Sequence, residues 1–220
     1  MIGCADPKIL SWMHADPLRY PLVISVSTGG ALPDPIHLSI EEITRANAMA
    51  HTGSKNRFLL QHHLLRNFLS HWLTVQPSDL GFVQNHYGKP ALADSDLHFS
   101  ISRSGQSLAF YFGPVAGGID IEELRSSQPF QAIIESHFHP NEQAAARSDK
   151  GFFTLWTRKE ALLKAVGTGL TDTLSAFDCT PEHVAHRGQK YTLSTYVSPY
   201  QVISLALSGN DQTTPLCFNL

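Results

Sequence analysis

Hydrophobic and polar positions along the chain form two successive series of elements, each with a strand, two helices and further strands. In the first series, the β-branched run at residues 22–26 predicts a strand. Ser39 and Glu42 have capping-box spacing, which predicts a helix that begins there and continues to about residue 50. Apolar residues at three- to four-residue spacing predict a second helix over about 55–72. Two short strands complete the series, at 97–101 and 108–112.

The second series begins after the glycine-containing break at residues 113–118. It is predicted to contain a strand at 118–122, a short helix at 129–136, a long helix at Asp149–Val166 and strands at 191–196 and 200–207. Ser148 is the expected N-cap of the long helix, and Gly167 is expected to end it. The repeated pattern predicts an α+β fold of two similar halves, 1–113 and 114–220, with a ligand cleft between them.

Composition narrows the class of protein. The 220 residues are 42% hydrophobic and 16% charged, so the chain can bury a substantial core. A net charge of −3 argues against a nucleic-acid binder, which is usually basic. Three widely spaced cysteines indicate neither a disulfide framework nor a zinc ribbon, and no apolar stretch has the length of a membrane span. We expect a cytoplasmic protein.

Two acids in the strand at 118–122 are the first candidates for chemistry. Because side chains alternate along a strand, Ile119 and Ile121 can face the core while Asp120 and Glu122 point together the other way, roughly 7 Å apart. Such a pair of carboxylates is typical of a site for a hard cation such as Mg²⁺. A solvated edge strand with outward acids would give the same pattern.

The long helix and a set of basic residues add further candidates. Glu160 and Lys164 are four residues apart, so they are neighbours on one helix face, as in many ordinary surface pairs. If they lie near the acidic strand, Glu160 adds a third carboxylate and Lys164 a positive charge to the possible cation site. The basic set consists of Arg45, Arg57, Arg66, Lys89 and Arg103. These residues are either scattered surface charges or a cluster that binds phosphate.

Four motifs in order give the chain a resemblance to a known family. They are GKP at 88–90, SxS at 102–104, GIDIE at 118–122 and WTRKEALLKAVGTGL at 156–170. Together they resemble the 4′-phosphopantetheinyl transferase superfamily, in its longer, monomeric, surfactin-synthetase-activating type. The resemblance implies two pseudo-symmetric halves, each a small, mostly antiparallel sheet with helices on one face. It also implies an enzyme that transfers the 4′-phosphopantetheine arm of coenzyme A to a serine hydroxyl of an apo acyl or peptidyl carrier protein, releases 3′,5′-ADP and requires Mg²⁺.

The resemblance also assigns roles to individual residues. Asp120, Glu122 and Glu160 correspond to the acids that hold Mg²⁺. Glu160 is further implied as the general base for the carrier serine, and Lys164 as the contact to the phosphate under attack. The residues implied to contact coenzyme A are Arg45, Arg57, Lys89, Ser102 and Arg103.

One segment departs from the family pattern. Family members usually carry Ser-His-Ser, with Asn two positions before the first Ser, whereas residues 100–104 read Ser-Ile-Ser-Arg-Ser. Arg103 keeps a donor and a fixed positive charge in place of the histidine, so we expect phosphate binding to persist. The substitution also raises an alternative from another class of protein, a coenzyme A- or carrier-binding module of the same fold that has lost turnover.

Overall fold

The computed structural model of the protein describes residues 11–28, 37–125, 130–169, 173–209 and 214–220. The strands are β1 (Leu22–Ser27), β2 (Phe82–Gln84), β3 (Pro90–Leu92), β4 (His98–Ser104), β5 (Ser107–Gly113), β6 (Gly117–Glu123), β7 (His183–His186), β8 (Gln189–Val197), β9 (Gln201–Ser208) and β10 (Leu216–Asn219). The α-helices are α1 (Ile40–Asn47), α2 (Thr52–Leu73), α3 (Gln131–His137), α4 (Pro140–Gln143) and α5 (Asp149–Val166). Short 3₁₀ helices span Ser11–His14, Pro77–Asp79, Ala145–Arg147 and Leu174–Ala176.

The first four-stranded sheet has the order β10-β1-β5-β4 and is covered by α2. Its strands are antiparallel except for β10, which runs parallel to β1. Phe68 of α2 packs against Phe110 and Phe112 of β5, with ring centroids 5.4 and 5.8 Å apart. These rings belong to one apolar cluster that burial of their surfaces stabilises.

The second four-stranded sheet is fully antiparallel, has the order β6-β9-β8-β7, and carries α5 on one face. Helix and strand approach closely at Gly118, where a Cβ would lie 2.1 Å from the carbonyl oxygen of Ala161. A glycine at this point of β6 therefore permits α5 to lie directly on the strand. The two sheets confirm the predicted α+β class.

A row of serines joins the two sheets. Ser100, Ser102 and Ser104 lie at alternate positions of β4 and all face β6, and we call them the serine seam. Ser100 accepts a hydrogen bond from the backbone N–H of Ile119 (3.2 Å), and Ser104 accepts one from that of Glu123 (3.1 Å). The seam therefore fixes the register of β4 against β6 by polar contacts.

Most predicted elements are present, with small shifts at their ends. The capping box forms as predicted: Ser39 Oγ accepts from the N–H of Glu42, whose carboxylate accepts from the N–H of Ser39. The long helix has the predicted bounds, with Ser148 at its start and Gly167 in the left-handed region (φ 82°) at its end. The start of the predicted short helix at 129 and the last residue of the fourth motif, 170, lie outside the described residues.

Sequence patterns did not predict β2, β3, β7 or β10, which are three or four residues long. The strand β10 comes from the end of the chain yet pairs with β1 of the first sheet. Within the described ranges, no helix combines the length and apolar character needed to cross a bilayer.

Candidate active site

The acidic strand β6 places Asp120 in a buried position beside the serine seam. Ile119 and Ile121 are fully buried, and Asp120, on the opposite face of the strand, is only 5% exposed. β6 is an edge strand of its sheet, but the interpretation of its acids as solvated is wrong for Asp120. Asp120 Oδ1 accepts hydrogen bonds from Ser102 Oγ (2.6 Å) and from Lys164 Nζ (2.7 Å). Its buried Oδ2 has no hydrogen-bond partner among the described residues, which leaves one acceptor available for a ligand.

Two further carboxylates lie close enough to Asp120 to be affected by its charge. Burial and the neighbouring Asp120 raise the pKa of Glu122, while a hydrogen bond from Ser104 Oγ (2.5 Å) opposes the shift. Burial, reinforced by Asp120, raises the pKa of Glu160 to about 7, with Lys164 acting in the opposite direction. Three carboxylates therefore lie near the ammonium group of Lys164, with Arg125 also lowering the pKa of Glu122, and a cation would relieve the remaining repulsion.

Helix α5 brings Glu160 and Lys164 to the acidic strand. The two residues lie on one helix face, as predicted, but Lys164 reaches across to β6. Its Nζ donates to Asp120 Oδ1 (2.7 Å) and to Ser102 Oγ (2.8 Å). Lys164 is therefore part of a network between α5 and both sheets, and its interpretation as half of an isolated surface pair is wrong.

The chemistry of the site fits a metal that takes some of its ligands from a substrate. Within the described ranges, no three His, Cys, Asp or Glu side chains are placed so that they could hold a metal ion on their own. Magnesium usually binds through one or two carboxylates, water and substrate phosphates, without a complete protein cage. The partnerless Asp120 Oδ2 and the neighbouring carboxylates of Glu122 and Glu160 suit that mode of binding.

A cleft of about 320 Å³ lies beside this network. Its walls come from α2, from the turn between β2 and β3, from β4 and from the end of α5, and include Gln61, Lys89, Ile101, Leu163 and Lys164. Lys89 Nζ donates to the carbonyls of Gly117 (3.2 Å) and Ala165 (3.3 Å), and burial lowers the pKa of Lys89 to about 8. Lys164 both lines the cleft and binds Asp120, so it connects the cleft to the acidic strand.

The other residues predicted to contact coenzyme A differ in how near they lie to the acids and the cleft. Ser102 lies within the acidic network, but Arg103 is exposed and, by strand alternation, faces away from it. Arg57 is exposed one helical turn before Gln61, on the side of α2 that reaches the cleft. Arg45 is exposed on α1, with its guanidinium 5.4 Å from the centre of the Phe58 ring.

Arg66, which sequence analysis grouped with the candidate phosphate contacts, is buried in the first half. Its Nε donates to Glu42 (2.7 Å), and its Nη1 donates to the carbonyls of Pro77 (2.5 Å) and Leu80 (3.3 Å). Burial alone would raise the pKa of Glu42, but hydrogen bonds from His62 and Arg66 lower it to about 2. Arg66 therefore connects α2 to α1 and to the following loop.

A buried ion pair under α5 was missed by sequence analysis. Lys159 and Glu142 are both 0% exposed, with Lys159 Nζ 2.8 Å from Glu142 Oε2. One signal was available: Lys159 lies at helical spacing from Leu155, Leu162 and Val166, so it occupies the middle of an apolar face. A lysine in that position must find a buried partner.

Comparison with known proteins agrees with this geometry. The sequence model of the 4′-phosphopantetheinyl transferase superfamily matches residues 116–217, which include β6 and α5. The chain is 36% identical over 147 residues to 4′-phosphopantetheinyl transferase HetI of Nostoc sp., covering 60% of this chain and 61% of that protein. It is 37% identical over 127 residues to 4′-phosphopantetheinyl transferase gsp of Aneurinibacillus migulanus, covering 55% and 52%.

A third relative, 4′-phosphopantetheinyl transferase Sfp of Bacillus subtilis, is 31% identical over 148 residues, covering 64% of this chain and 65% of that protein. The chain thus spans between half and two thirds of the length of these relatives. The matched segment contains the acids of β6 and the helix that carries Glu160 and Lys164, so the chain is similar to the 4′-phosphopantetheinyl transferase superfamily and to its longer, Sfp-like members.

Proposed function

We propose that the protein is a 4′-phosphopantetheinyl transferase. It transfers the phosphopantetheine arm of coenzyme A to a serine hydroxyl of an apo acyl or peptidyl carrier protein and releases 3′,5′-ADP, in the presence of Mg²⁺. The observation that carries the proposal is the group of Asp120, Glu160 and Lys164, of which Lys164 also lines a cleft. All these groups come from one chain, which supports a monomer as the active form. We further propose that it acts in the cytoplasm.

Asp120, Glu122 and Glu160 are the residues proposed to hold Mg²⁺. When bound, the ion would neutralise charge on the pyrophosphate of coenzyme A. The partnerless Asp120 Oδ2 supports this role. Burial, with a further contribution from Asp120, raises the pKa of Glu122 and of Glu160, and a bound cation would offset the cost of ionising them. Lys164, whose Nζ already spans Ser102 and Asp120, is placed to add positive charge at the phosphate under attack.

Glu160 is proposed as the general base. Without a metal, burial raises the pKa of Glu160 to about 7; a bound Mg²⁺ would lower it and so keep the carboxylate deprotonated, as a base requires. In the transfer, the serine oxygen of the carrier forms a bond to the phosphorus that bears the pantetheine arm. The bond from that phosphorus to the leaving 3′,5′-ADP oxygen breaks, and the serine proton passes to Glu160.

The cleft is proposed to bind coenzyme A. Lys89 lines it directly, and Arg57 lies beside it on α2, so both can contact phosphate groups. Ser102 and Arg45 are proposed contacts as well, although Ser102 already binds Asp120 and Lys164. Arg103 can reach the ligand only from the exposed face of β4, which makes it the weakest of the proposed contacts.

Mass spectrometry of apo carrier proteins tests the assignment. Acyl and peptidyl carriers would be incubated with the protein, coenzyme A and Mg²⁺, and we expect a gain equal to the mass of the phosphopantetheine arm that EDTA abolishes. A positioned base contributes about 10²–10⁴-fold, so Glu160→Gln should lower turnover by at least that much. Near-wild-type turnover in this variant would contradict the assignment. Binding of coenzyme A with no mass gain on any carrier would favour the binding module instead.

A further inference from the structure

The buried ammonium of Lys159 ties α5 to the segment that follows it. We call residues 173–180 the return segment. Lys159 Nζ donates to the carbonyls of Leu174 and Phe177, each at 2.7 Å, and to Glu142 Oε2 at 2.8 Å. It also lies 4.4 Å from the centre of the Phe177 ring. These contacts use all three protons of the ammonium group.

Glu142 completes this arrangement from the other side. Its Oε1 accepts a hydrogen bond from the N–H of Cys179 (2.7 Å), and its Oε2 accepts one from the N–H of His139 at the start of α4 (2.7 Å). One carboxylate thereby connects α4, the return segment and Lys159. The pair is satisfied by hydrogen bonds on both sides, which is the condition for burying two charges.

Arg158, the preceding residue of α5, binds the same segment. Its Nη1 donates to the carbonyls of Cys179 (2.7 Å) and Thr180 (2.8 Å). Two consecutive helical residues therefore hold four carbonyl groups of the return segment. Toward its own sheet, α5 makes a hydrogen bond between Thr157 Oγ1 and Ser204 Oγ of β9 (2.8 Å) besides the one from Lys164 to Asp120. Other contacts there involve apolar side chains such as Leu162 and Leu163, whose attraction has little directionality.

Stability alone does not explain the ion pair. Apolar residues of similar volume at a buried ion pair are often neutral or stabilising, because the two charges no longer have to leave water. Directional bonds differ from apolar contacts in that they set the rotation of a helix about its axis. Glu160 follows Lys159 by one residue, or about 100° around the helix, and Lys164 lies just over one turn further along. A small rotation of α5 would therefore separate Lys164 Nζ from Asp120 Oδ1, now 2.7 Å apart.

We propose that Lys159 is a positioning residue. Through Glu142 and the return segment it fixes the rotation of α5 and so holds Glu160 and Lys164 against Asp120. Lys159 itself is fully buried and touches no substrate. The expected effect of Lys159 on turnover rests on the proposed transferase activity, whereas its effect on the rotation of α5 does not.

The test replaces both members of the pair. Lys159→Met alone would leave the Glu142 carboxylate buried without a counter-ion and could prevent folding, so the informative variant is Lys159→Met with Glu142→Gln. The glutamine carbonyl can still accept from the N–H of Cys179. We expect the double variant to fold but to melt several degrees below the wild type, because the buried carbonyls of Leu174 and Phe177 lose their donor. Its kcat should fall on the order of 10²-fold, the effect of about 1 Å of misplacement, with KM for the carrier protein changed much less.

A second readout needs no turnover. The Lys164 ammonium group should give a slowly exchanging NMR signal in the wild type, because it is hydrogen-bonded to Asp120 and Ser102, and the double variant should lose that signal. Ile134→Val, a buried change on α3, is the control and should retain both the signal and kcat. A folded double variant with wild-type kcat and an unchanged Lys164 signal would overturn the inference. A wild type without transfer would refute the proposed function, while the NMR comparison would still decide the geometric role.

Discussion

The close backbone approach of α5 to β6 at Gly118 offers a sharp test of how the site is held. In Gly118→Ala, the added Cβ would lie 2.1 Å from the carbonyl oxygen of Ala161 and 2.3 Å from the backbone N of Ala165. Both are backbone atoms of the helix, so no side-chain rotation can relieve the contact. Reaching an ordinary separation of 3.4 Å requires helix and strand to move apart by 3.4 − 2.1 = 1.3 Å.

This displacement sets the size of the expected effects. Overpacking of this kind costs about 1–3 kcal/mol of unfolding free energy. For a chain of this size, each kcal/mol corresponds to about 2–4 °C, so the melting temperature should fall by about 2–12 °C. A shift of about 1 Å at the site should also lower kcat on the order of 10²-fold, because Lys164 moves away from Asp120.

Urea denaturation and carrier-modification kinetics would measure the two effects side by side. Gly53→Ala is the matched control: it lies in the first turn of α2, where a Cβ would be 3.6 Å from the flexible Arg57 side chain. We expect this control to be as stable as the wild type or slightly more so, since alanine favours helix over glycine. If Gly118→Ala retained wild-type stability and kcat, the inferred dependence of the site on this contact would be wrong.

Three further predictions concern charge. In EDTA, the unfolding free energy should fall as the pH rises from about 4.5 to about 7, because Glu160 keeps its proton to a higher pH in the folded chain than in the unfolded chain. Urea denaturation measures this trend, and the unfolding free energy of Glu160→Gln should depend less on pH over the same range. Lys164→Gln should lower kcat by about 10²–10³-fold, as loss of a single electrostatic contact to a transition state does, and a decrease below tenfold in the kinetic assay would contradict its role at the phosphate. The lowered pKa of Glu42 adds stability above its ordinary pKa of 4.5 that is lost as the pH falls toward about 2. Glu42→Gln should reduce this acid sensitivity in pH-dependent unfolding experiments and, by leaving Arg66 without its buried partner, cost about 3 kcal/mol at pH 7.

Local signals were sufficient to predict the elements that carry the site. The capping box at Ser39 and the apolar spacing of α5 depend on residues three or four positions apart, and both predicted helices formed. Alternation in β6 correctly separated Ile119 and Ile121 from the acids. Burial of Asp120 could not be read from that alternation, because it results from packing of β6 against the serine seam of another sheet.

Partners that are distant in sequence account for the remaining differences. Ser102 was predicted as a phosphate contact, and its bonds to Asp120 and Lys164 depend on the distance between elements 18 and 62 residues apart. The position of Lys159 on an apolar helix face indicated a buried partner, but the spacing could not show that this partner is Glu142 of α4. The strand β10 is four residues long and pairs with β1 through a contact that no local pattern encodes.

The pairing of β10 with β1 also bears on how the protein could be divided. Ser27 and Leu216 bond to Leu220 and Pro21 through their backbone N–H groups, and Ser25 contacts Asn219 through its side chain. A fragment ending near residue 113 would expose β1 as an open edge, which invites strand addition by other molecules and aggregation. A chimaera that exchanges the first half of the chain would therefore also have to carry β10 from the same parent, so that β1 keeps its neighbouring strand and the product stays soluble.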